Sequence, residues 1–191
     1  MALFLNAYHV GIVVQVIRRY PVKSIQNIPG VWDTEVVSVA GQNYSLNGIR
    51  SRELIGTFHD EKIHTVLACG AKSCAPFPRE AYTGPEVEGQ LFLGTRQFVN
   101  DPERIKIVPG GKKIFISRLF KWYATDFQLD FGTSYKEDHR LPREEETVLA
   151  FIAHYLEDQA KVDFLEERNY KVKFLPFDWS LNEWRPAPAK A

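Results

Sequence analysis

Both cysteines of the chain and one of its five histidines lie within residues 62–76. An apolar run at 63–68 is closed by Gly70, a pattern typical of a short buried strand or helix that ends in a loop. Cys69 and Cys74 therefore lie where a buried element gives way to a loop, and loops on a rigid scaffold often carry function. A cysteine thiolate attacks carbonyl carbons when a neighbouring base accepts its proton. The chemistry that this stretch suggests is nucleophilic catalysis by a thiol.

His64 is the histidine closest to Cys69 along the chain, but regular secondary structure would point the two side chains apart. On a strand, positions 64 and 69 face opposite sides, and on a helix they diverge by about 140° around the axis. A direct His64–Cys69 pair therefore requires the chain to bend at Gly70, or a histidine to arrive from elsewhere in the sequence. Two other interpretations stay open: Cys69 is a buried and unreactive side chain, and His64 donates to a backbone carbonyl.

Composition argues against several classes of protein. Lys+Arg 24 balances Asp+Glu 24, and no basic stripe of the kind that binds nucleic acid is visible. Two cysteines cannot form a disulfide framework, although they could close one short loop. The histidines are scattered without an HxxxH or CxxC pattern, so we predict no metal and no cofactor. The apolar segment 2–17 is interrupted by polar residues, is shorter than a membrane span, and lacks the basic start of an export signal.

The elements that must position the candidate site indicate a single α+β domain. Residues 2–19 are apolar on nearly all sides, which predicts a central buried helix, and its uncapped start indicates that an upstream piece is missing. Turn signals at Gly41 and Gly110 predict two β-hairpins, at 34–46 and 104–116. The predicted peripheral helices and the last strand lie at 45–58, 84–99, 117–123, 143–156, 158–168 and 170–174.

The boundaries of the domain follow from composition near the end of the chain. We assign residues 1–184 to the domain, with an acidic linker at 128–142, and residues 185–191 to a disordered tail. Asp126 and Asp178 are expected to hold loops by accepting from backbone N–H groups. The aromatic residues expected in the core are Trp122, Tyr123 and Trp179.

Several segments resemble, in a fixed order, the motifs of DUF547, a family of domains of unknown function. The sequence NAYH at 6–9 is similar to the family's NAYN, and IHTVLACG and SCAP within 63–76 are similar to its cysteine motif. Further similar segments lie at 24–32, 45–47, 120–127 and 175–182. The resemblance spans nearly the whole chain, and the last of these segments is similar to that of bacterial members.

The resemblance to DUF547 implies a fold more firmly than an activity. The family has been compared with papain- and transglutaminase-like thiol enzymes, which implies a distantly related fold. In such an enzyme Cys69 would be the nucleophile, and His64 or the more distant His9 would accept its proton. Asn6 or a backbone N–H would stabilise the oxyanion. Relatives often carry an export signal and more helix ahead of the first motif, so the localisation is left open.

One departure from the family pattern bears on catalysis. Where the family has Ile-Glu-His, this chain has Ile49, Arg50 and Ser51. If the Glu-His pair orients and activates the thiol, this chain has lost that function. An arginine in place of the glutamate would also make the cleft more basic, which suits an anionic ligand.

Two hypotheses from different classes follow, and whether the protein is an enzyme stays open between them. In the first, a non-catalytic family member binds a small molecule or a peptide in a cleft near Cys69. The candidate ligand-binding residues are His9, Arg50, Ser51, Cys74 and Asp126. In the second, the protein is a thiol-dependent hydrolase or acyl transferase with Cys69 as its nucleophile. The missing Glu-His pair favours the first. A redox pair of Cys69 and Cys74 is a third hypothesis, although the spacing is not CxxC.

Overall fold

The computed structural model describes residues 1–128 and 141–183, so the predicted linker at 128–142 and tail at 185–191 lie largely outside the described residues. The fold is α+β, as predicted. The helices are α1 (Ala2–Arg19), α2 (Leu46–Gly48), α3 (Gly56–Phe58), α4 (Ile63–Val66), α5 (Val87–Val99), α6 (Leu119–Trp122), α7 (Arg143–Tyr155) and α8 (Gln159–Glu167). The strands are β1 (Glu35–Val39), β2 (Gln42–Ser45), β3 (Ile105–Lys106), β4 (Lys113–Ile116) and β5 (Lys171–Phe174).

The first core packs α1 against the β1–β2 hairpin and the helical segment that follows it. The two strands pair antiparallel, with Val37 opposite Tyr44, which confirms the first predicted hairpin. Gly11 lets α1 approach the hairpin closely, since a Cβ there would lie 2.6 Å from a methyl group of Val37 and 2.7 Å from one of Leu46. The close packing of the α1 backbone on these two side chains therefore requires a residue without a Cβ at position 11.

The helix α1 is confirmed, but it is buried on one face only. Leu5, Tyr8 and Ile12 point into the first core and are almost completely buried. The opposite face is exposed to solvent, at Leu3, Val10, Val13 and Ile17. The apolar residues on all sides of the helix predicted burial all round, whereas the hairpin and its neighbours cover one side. Within the described part of the chain, no helix is long and apolar enough to cross a membrane.

The segment after the hairpin is helical as predicted, but its middle is wound more widely. Ser45 caps its start, because the Ser45 hydroxyl accepts a hydrogen bond from Gly48 N at 3.0 Å. A π-helix, Ile49–Ile55, connects α2 to α3 and carries Arg50. Wide turns of this kind are frequent at functional sites because they change the direction of a side chain locally.

The second core packs helices against a three-stranded sheet in the order β3-β4-β5. β3 and β4 pair antiparallel, with Ile105 opposite Ile116, which confirms the second predicted hairpin. β5 pairs parallel to β4, with Val172 beside Ile114. The interior of the second core is rich in phenylalanine, with four rings fully buried: Phe98, Phe120, Phe127 and Phe151. Edge-to-face and tilted ring contacts such as these add to the free energy of apolar burial.

One boundary near the site differs from the predictions, and one open alternative is resolved. α5 begins at Val87 rather than at residue 84, with its first turn uncapped by a side chain. The apolar run at 63–68 forms the short helix α4 and then becomes extended at Leu67, followed by Gly70 at a φ of 83°. The chain therefore bends at Gly70, which was one of the two conditions for a direct His64–Cys69 pair, and leads into the cysteine loop.

Candidate functional site

A cleft of about 200 Å³ is lined by residues from both cores. Its walls are largely aromatic, formed by Tyr8, Trp32, Trp122, Tyr123, Phe177 and Trp179. The ring of Trp122 lies 4.8 Å from that of Phe177 and 5.8 Å from that of Trp179, measured between centroids. Its side chain is 45% exposed, so the expectation that Trp122 belongs to the core is wrong. Hydrophobicity alone does not distinguish a core residue from a cleft wall.

His64 is held inside this cleft by Asp126. The distance from His64 Nε2 to Asp126 Oδ2 is 2.7 Å, and the imidazole stacks on the Tyr123 ring at 4.1 Å. Burial lowers the pKa of His64 despite the opposing effect of Asp126, so the ring is neutral near pH 7. The hydrogen bond from His64 lowers the pKa of Asp126, which is ionised. Because a carboxylate only accepts, Nε2 carries the proton.

The other nitrogen of the His64 ring is left as an acceptor. His64 Nδ1 is buried, and it has no hydrogen-bond partner among residues 1–128 and 141–183. The ring therefore donates to a carboxylate, not to a backbone carbonyl as one interpretation of the sequence had it. A histidine oriented by a carboxylate, with its second nitrogen free, can accept a proton from a neighbouring group.

Arg50 brings positive charge to the cleft. Its guanidinium carbon lies 5.1 Å from the centre of the Tyr123 ring, and its hydrogen bond to Asn47 Oδ1 is long, at 3.5 Å. No carboxylate of the described residues lies within ion-pair distance of it. A guanidinium has five N–H donors, so most of the hydrogen-bonding capacity of Arg50 is unused by the described residues.

Cys69 and Cys74 are joined in a disulfide. Their Cα atoms lie 5.7 Å apart, which is ordinary for such a bond. Both residues are buried beneath the cleft and contribute to its lining. A disulfide sulfur is not a thiolate, so in this oxidised state neither cysteine can act as a nucleophile.

The cysteine loop is held from outside by residues 177–182, which we call the strap. Ser73 N donates to Asp178 O, and Asp178 N donates to the Ser73 hydroxyl at 2.8 Å. Lys72 N donates to Ser180 O at 3.0 Å. As predicted, the Asp178 carboxylate accepts from a backbone N–H, that of Ser180. Asp126 instead binds the His64 side chain.

Contacts from two other loops fix the strap and the disulfide in place. The Ser24 hydroxyl donates to Trp179 O at 2.7 Å, which positions one aromatic wall of the cleft. Arg104, from the second core, donates to the carbonyl of Cys74 and forms an ion pair with Asp101. The cleft is therefore built where segments distant in sequence are tied together by backbone hydrogen bonds.

Three residues predicted to lie at the site are positioned away from the lining of the cleft: Asn6, Ser51 and His9. Both ends of the Asn6 amide are engaged by Tyr82: Nδ2 donates to its carbonyl at 2.8 Å, and Oδ1 accepts from its N–H at 2.9 Å. This pair of hydrogen bonds fixes the amide against the Tyr82 backbone, so Asn6 holds a loop, and the amide is not among the groups that line the cleft. The Ser51 hydroxyl is exposed and donates to Asn47 O.

His9 lies behind the cleft, where it supports the chain leading to Cys69. Its Nε2 accepts a hydrogen bond from Ala68 N at 3.0 Å. Burial lowers the pKa of His9 to about 4, which keeps the ring neutral and able to accept near pH 7. In this arrangement the imidazole has a structural contact with the backbone rather than with a ligand or a thiol.

The structure brings together Cys69, Cys74, His64 and Arg50, and it adds Asp126 through His64. Three further residues line the cleft that were not among the predicted site residues, although their sequence segments carried a signal. Tyr8, Trp32 and Asn47 belong to the segments at 6–9, 24–32 and 45–47 that resemble family motifs. Among the described residues, no group of three or more histidines, cysteines and carboxylates is arranged to hold a metal ion.

The profile of one family, described as "Protein of unknown function, DUF547", matches residues 1–99. The matched region runs from α1 to the end of α5, and it contains Arg50, His64 and both cysteines. No significant match is found among curated proteins. None is found among solved structures either.

Proposed function

The chain belongs to the DUF547 family, and we propose that it binds a small anionic ligand, or the end of a peptide, in the cleft beside Cys69 without catalysing a reaction. The observation that carries this proposal is the state of Arg50. Its guanidinium is partly buried among aromatic rings, and no carboxylate of the described residues pairs with it. A bound anion would supply the missing partner.

Partial burial makes the Arg50 guanidinium favour an anionic partner. A charge that is partly removed from water loses hydration, and it regains free energy when an opposite charge approaches in the same low-dielectric environment. The planar guanidinium offers parallel N–H donors that match the two oxygens of a carboxylate. Asp126 is near enough for Arg50 to lower its pKa, but its Oδ2 is engaged by His64.

Two features support binding without catalysis. The positions where family members have the Glu-His pair are occupied here by Arg50 and Ser51, and neither can serve as a base near neutral pH. The sulfur of Cys69 is bonded to Cys74. The cleft as described thus holds an oriented histidine and a cation, without a thiol to activate.

A thiol-dependent hydrolase or acyl transferase is the second candidate function. The observation that favours it is the His64–Asp126 pair, which lines the same cleft as Cys69 and leaves Nδ1 without a partner. After reduction of the disulfide by a dithiol, His64 would be the base and the Cys69 thiol the nucleophile. This function requires the reduced protein.

Binding is tested by titrating small monocarboxylates, and the corresponding primary amides, against the oxidised protein while following its tryptophan fluorescence. We expect the carboxylates to bind, the amides to bind more weakly, and Arg50→Gln to lose roughly tenfold or more in affinity, as for a lost charge-assisted hydrogen bond. Arg52→Gln is the matched control, because Arg52 is exposed and pairs with Glu53. Equal affinity of Arg50→Gln and the wild type would contradict the proposal.

The two functions are separated by a turnover assay on the dithiol-reduced protein with an activated acyl ester. The proposal expects the same rate of ester cleavage from wild type and Cys69→Ser, since no thiol chemistry takes place. A rate that falls by about two orders of magnitude or more in Cys69→Ser, in line with loss of a catalytic nucleophile, would favour the hydrolase instead.

A further inference from the structure

We infer that the ligand of this cleft carries one aromatic ring next to a single carboxylate. This inference rests on the proposed binding at Arg50 and specifies the ligand further. Three properties of the cleft lead to it: its size, the arrangement of its aromatic walls, and the number of charges that face it.

The size of the cleft restricts the ligand to about one ring. An apolar cavity of about 150 Å³ is enough to hold a benzene molecule. The cleft has about 200 Å³, which leaves room for a carboxylate-sized group and little more. A drug-sized molecule or several peptide residues would need roughly 300 Å³ or more. The part of the ligand that enters the cleft is therefore small.

The aromatic walls indicate what fills most of that volume. Trp122, Phe177 and Trp179 form a cluster in which the Phe177 and Trp179 ring centroids lie 4.5 Å apart. The side chain of Trp122 keeps 45% of its surface exposed although it stands beside two other rings. A large aromatic side chain left open in a concave site offers an offset-stacking surface to another flat ring.

The strap makes this aromatic surface rigid before a ligand arrives. Trp179 is fixed through its carbonyl by the Ser24 hydroxyl, and its neighbour Asp178 is tied to Ser73 by two hydrogen bonds. A wall that is already ordered loses little conformational entropy on binding. The ring-binding surface is thus preorganised by backbone contacts of residues that do not touch the ligand.

The charges in the site favour one negative charge on the ligand. Among the residues that the structure describes, Arg50 is the cation that lines the cleft, and the ionised Asp126 lies close enough to interact with it. A doubly charged phosphate would be repelled by the Asp126 carboxylate, and the single Arg50 guanidinium would have to offset both of its charges. A carboxylate carries a single charge and presents two oxygens in the plane that a guanidinium fork accepts.

Four acids and amides test this assignment against the oxidised protein, with tryptophan fluorescence as the readout. N-acetylphenylalanine has both the ring and the carboxylate, its primary amide lacks the charge, N-acetylglycine lacks the ring, and N-acetylcyclohexylalanine has a saturated ring. We expect the first to bind at least about tenfold more tightly than the amide and N-acetylglycine, and several-fold more tightly than the saturated analogue.

Variants show where the ring binds. Trp122→Leu keeps an apolar side chain and should lower the affinity for N-acetylphenylalanine several-fold. The affinity for N-acetylglycine should stay unchanged. Arg52→Gln, away from the cleft, should change neither of these two affinities. If N-acetylglycine binds as tightly as N-acetylphenylalanine and still depends on Arg50, the ring assignment is overturned while the proposed anion binding stands. If none of the acids binds, both the ring assignment and the proposed anion binding are overturned.

The ring and carboxylate could belong to a free acid or to the last residue of a peptide chain. The peptide Gly-Gly-Phe with a free carboxylate distinguishes these sources. Tighter binding of the peptide than of N-acetylphenylalanine would assign the cleft to chain ends. Weaker binding of the peptide would assign it to free aromatic acids, because the added residues would then be obstructed at the rim.

Discussion

The two cores of the molecule contribute different things to the cleft. The first, built around α1, the β1–β2 hairpin and the π-helix, provides the polar groups Arg50 and His64 and the disulfide. The second, built on the β3-β4-β5 sheet and its phenylalanine cluster, leads directly into the segment that carries Trp122, Tyr123 and Asp126. The family profile covers the first core and ends at residue 99.

The first core alone forms only part of the cleft. His64 comes from the matched region, but the carboxylate that orients it comes from beyond residue 99. Arg50 likewise lies against the ring of Tyr123. Under the proposed function, recognition of the ligand requires both cores to be folded and docked. Substitutions that weaken one core, or the connection between the two, should therefore weaken binding.

The largest effect is expected from Phe120→Ala in the second core. Phe120 is fully buried, and its ring centroid lies 5.3 Å from that of Phe127. Truncation should lower the free energy of unfolding by about 3–5 kcal/mol. Phe92→Ala on α5, where Phe92 is 42% exposed, is the control, with an expected loss of about 1 kcal/mol.

Denaturant melts of Phe120→Ala followed by far-UV circular dichroism and by tryptophan fluorescence should coincide, since most tryptophans lie at the cleft between the cores. Two separate transitions would mean that the first core remains folded without the second. The tryptophan fluorescence of the cleft would then not follow the unfolding of a single cooperative unit.

The next largest effect is acid destabilisation through His9 in the first core. Its pKa is lowered from 6.5 to about 4 on folding, so the unfolded chain binds the proton more readily. Neutral His9 makes its full contribution to the free energy of unfolding above pH 6.5. This contribution is lost as the pH falls from 6.5 through about 4, a change of about 3 kcal/mol. The lowered pKa of His64 acts in the same direction.

The His9 effect is measured as the free energy of unfolding between pH 7 and pH 4 for wild type and His9→Gln. Glutamine keeps an acceptor for Ala68 N but does not titrate, so its pH dependence should be shallower. A slope identical in His9→Gln and wild type would show that His9 does not cause the acid effect.

Much of the local structure was predictable from sequence because its signals are local. The hairpin turns at Gly41 and Gly110, the Ser45 cap and the bend at Gly70 all follow from residue types at a few adjacent positions. The burial of α1 on one face only was not predictable, because residues on every side of that helix are apolar.

The site itself was predictable in part. The importance of Cys69, His64 and Arg50 as candidates followed from the cysteine motif and from a departure from the family pattern. The His64–Asp126 pair joins positions 62 residues apart, and the strap joins the cysteine loop to a segment more than 100 residues later. Such pairings depend on tertiary packing, which periodicity and propensity do not encode.

A smaller effect is expected when the Cys69–Cys74 disulfide is reduced. A bond that closes so short a loop contributes about 2 kcal/mol in the chain-entropy account. We expect dithiol treatment to lower the free energy of unfolding by that amount or less, while Arg50-dependent carboxylate binding persists. Loss of binding on reduction would show that the disulfide, and not Arg50 with the aromatic walls, maintains the cleft.

The smallest effect is expected from Ser24→Ala at the strap. It removes the hydrogen bond to Trp179 O and one to the N–H of Gln26, which should lower the free energy of unfolding by about 1 kcal/mol. Ser38→Ala on β1 provides a comparison at a serine remote from the cleft. Carboxylate affinity should fall in Ser24→Ala and stay constant in Ser38→Ala, if the strap preorganises the aromatic wall.

The measurement that tests the account most directly is the crystal structure of the oxidised protein soaked with 4-bromobenzoate, with the bromine located by its anomalous signal. The account predicts the bromine against Trp122 and a carboxylate within hydrogen-bond distance of the Arg50 guanidinium. A bromine bound only elsewhere, for example on the exposed apolar face of α1, or a cleft that stays empty at saturating ligand, would contradict it.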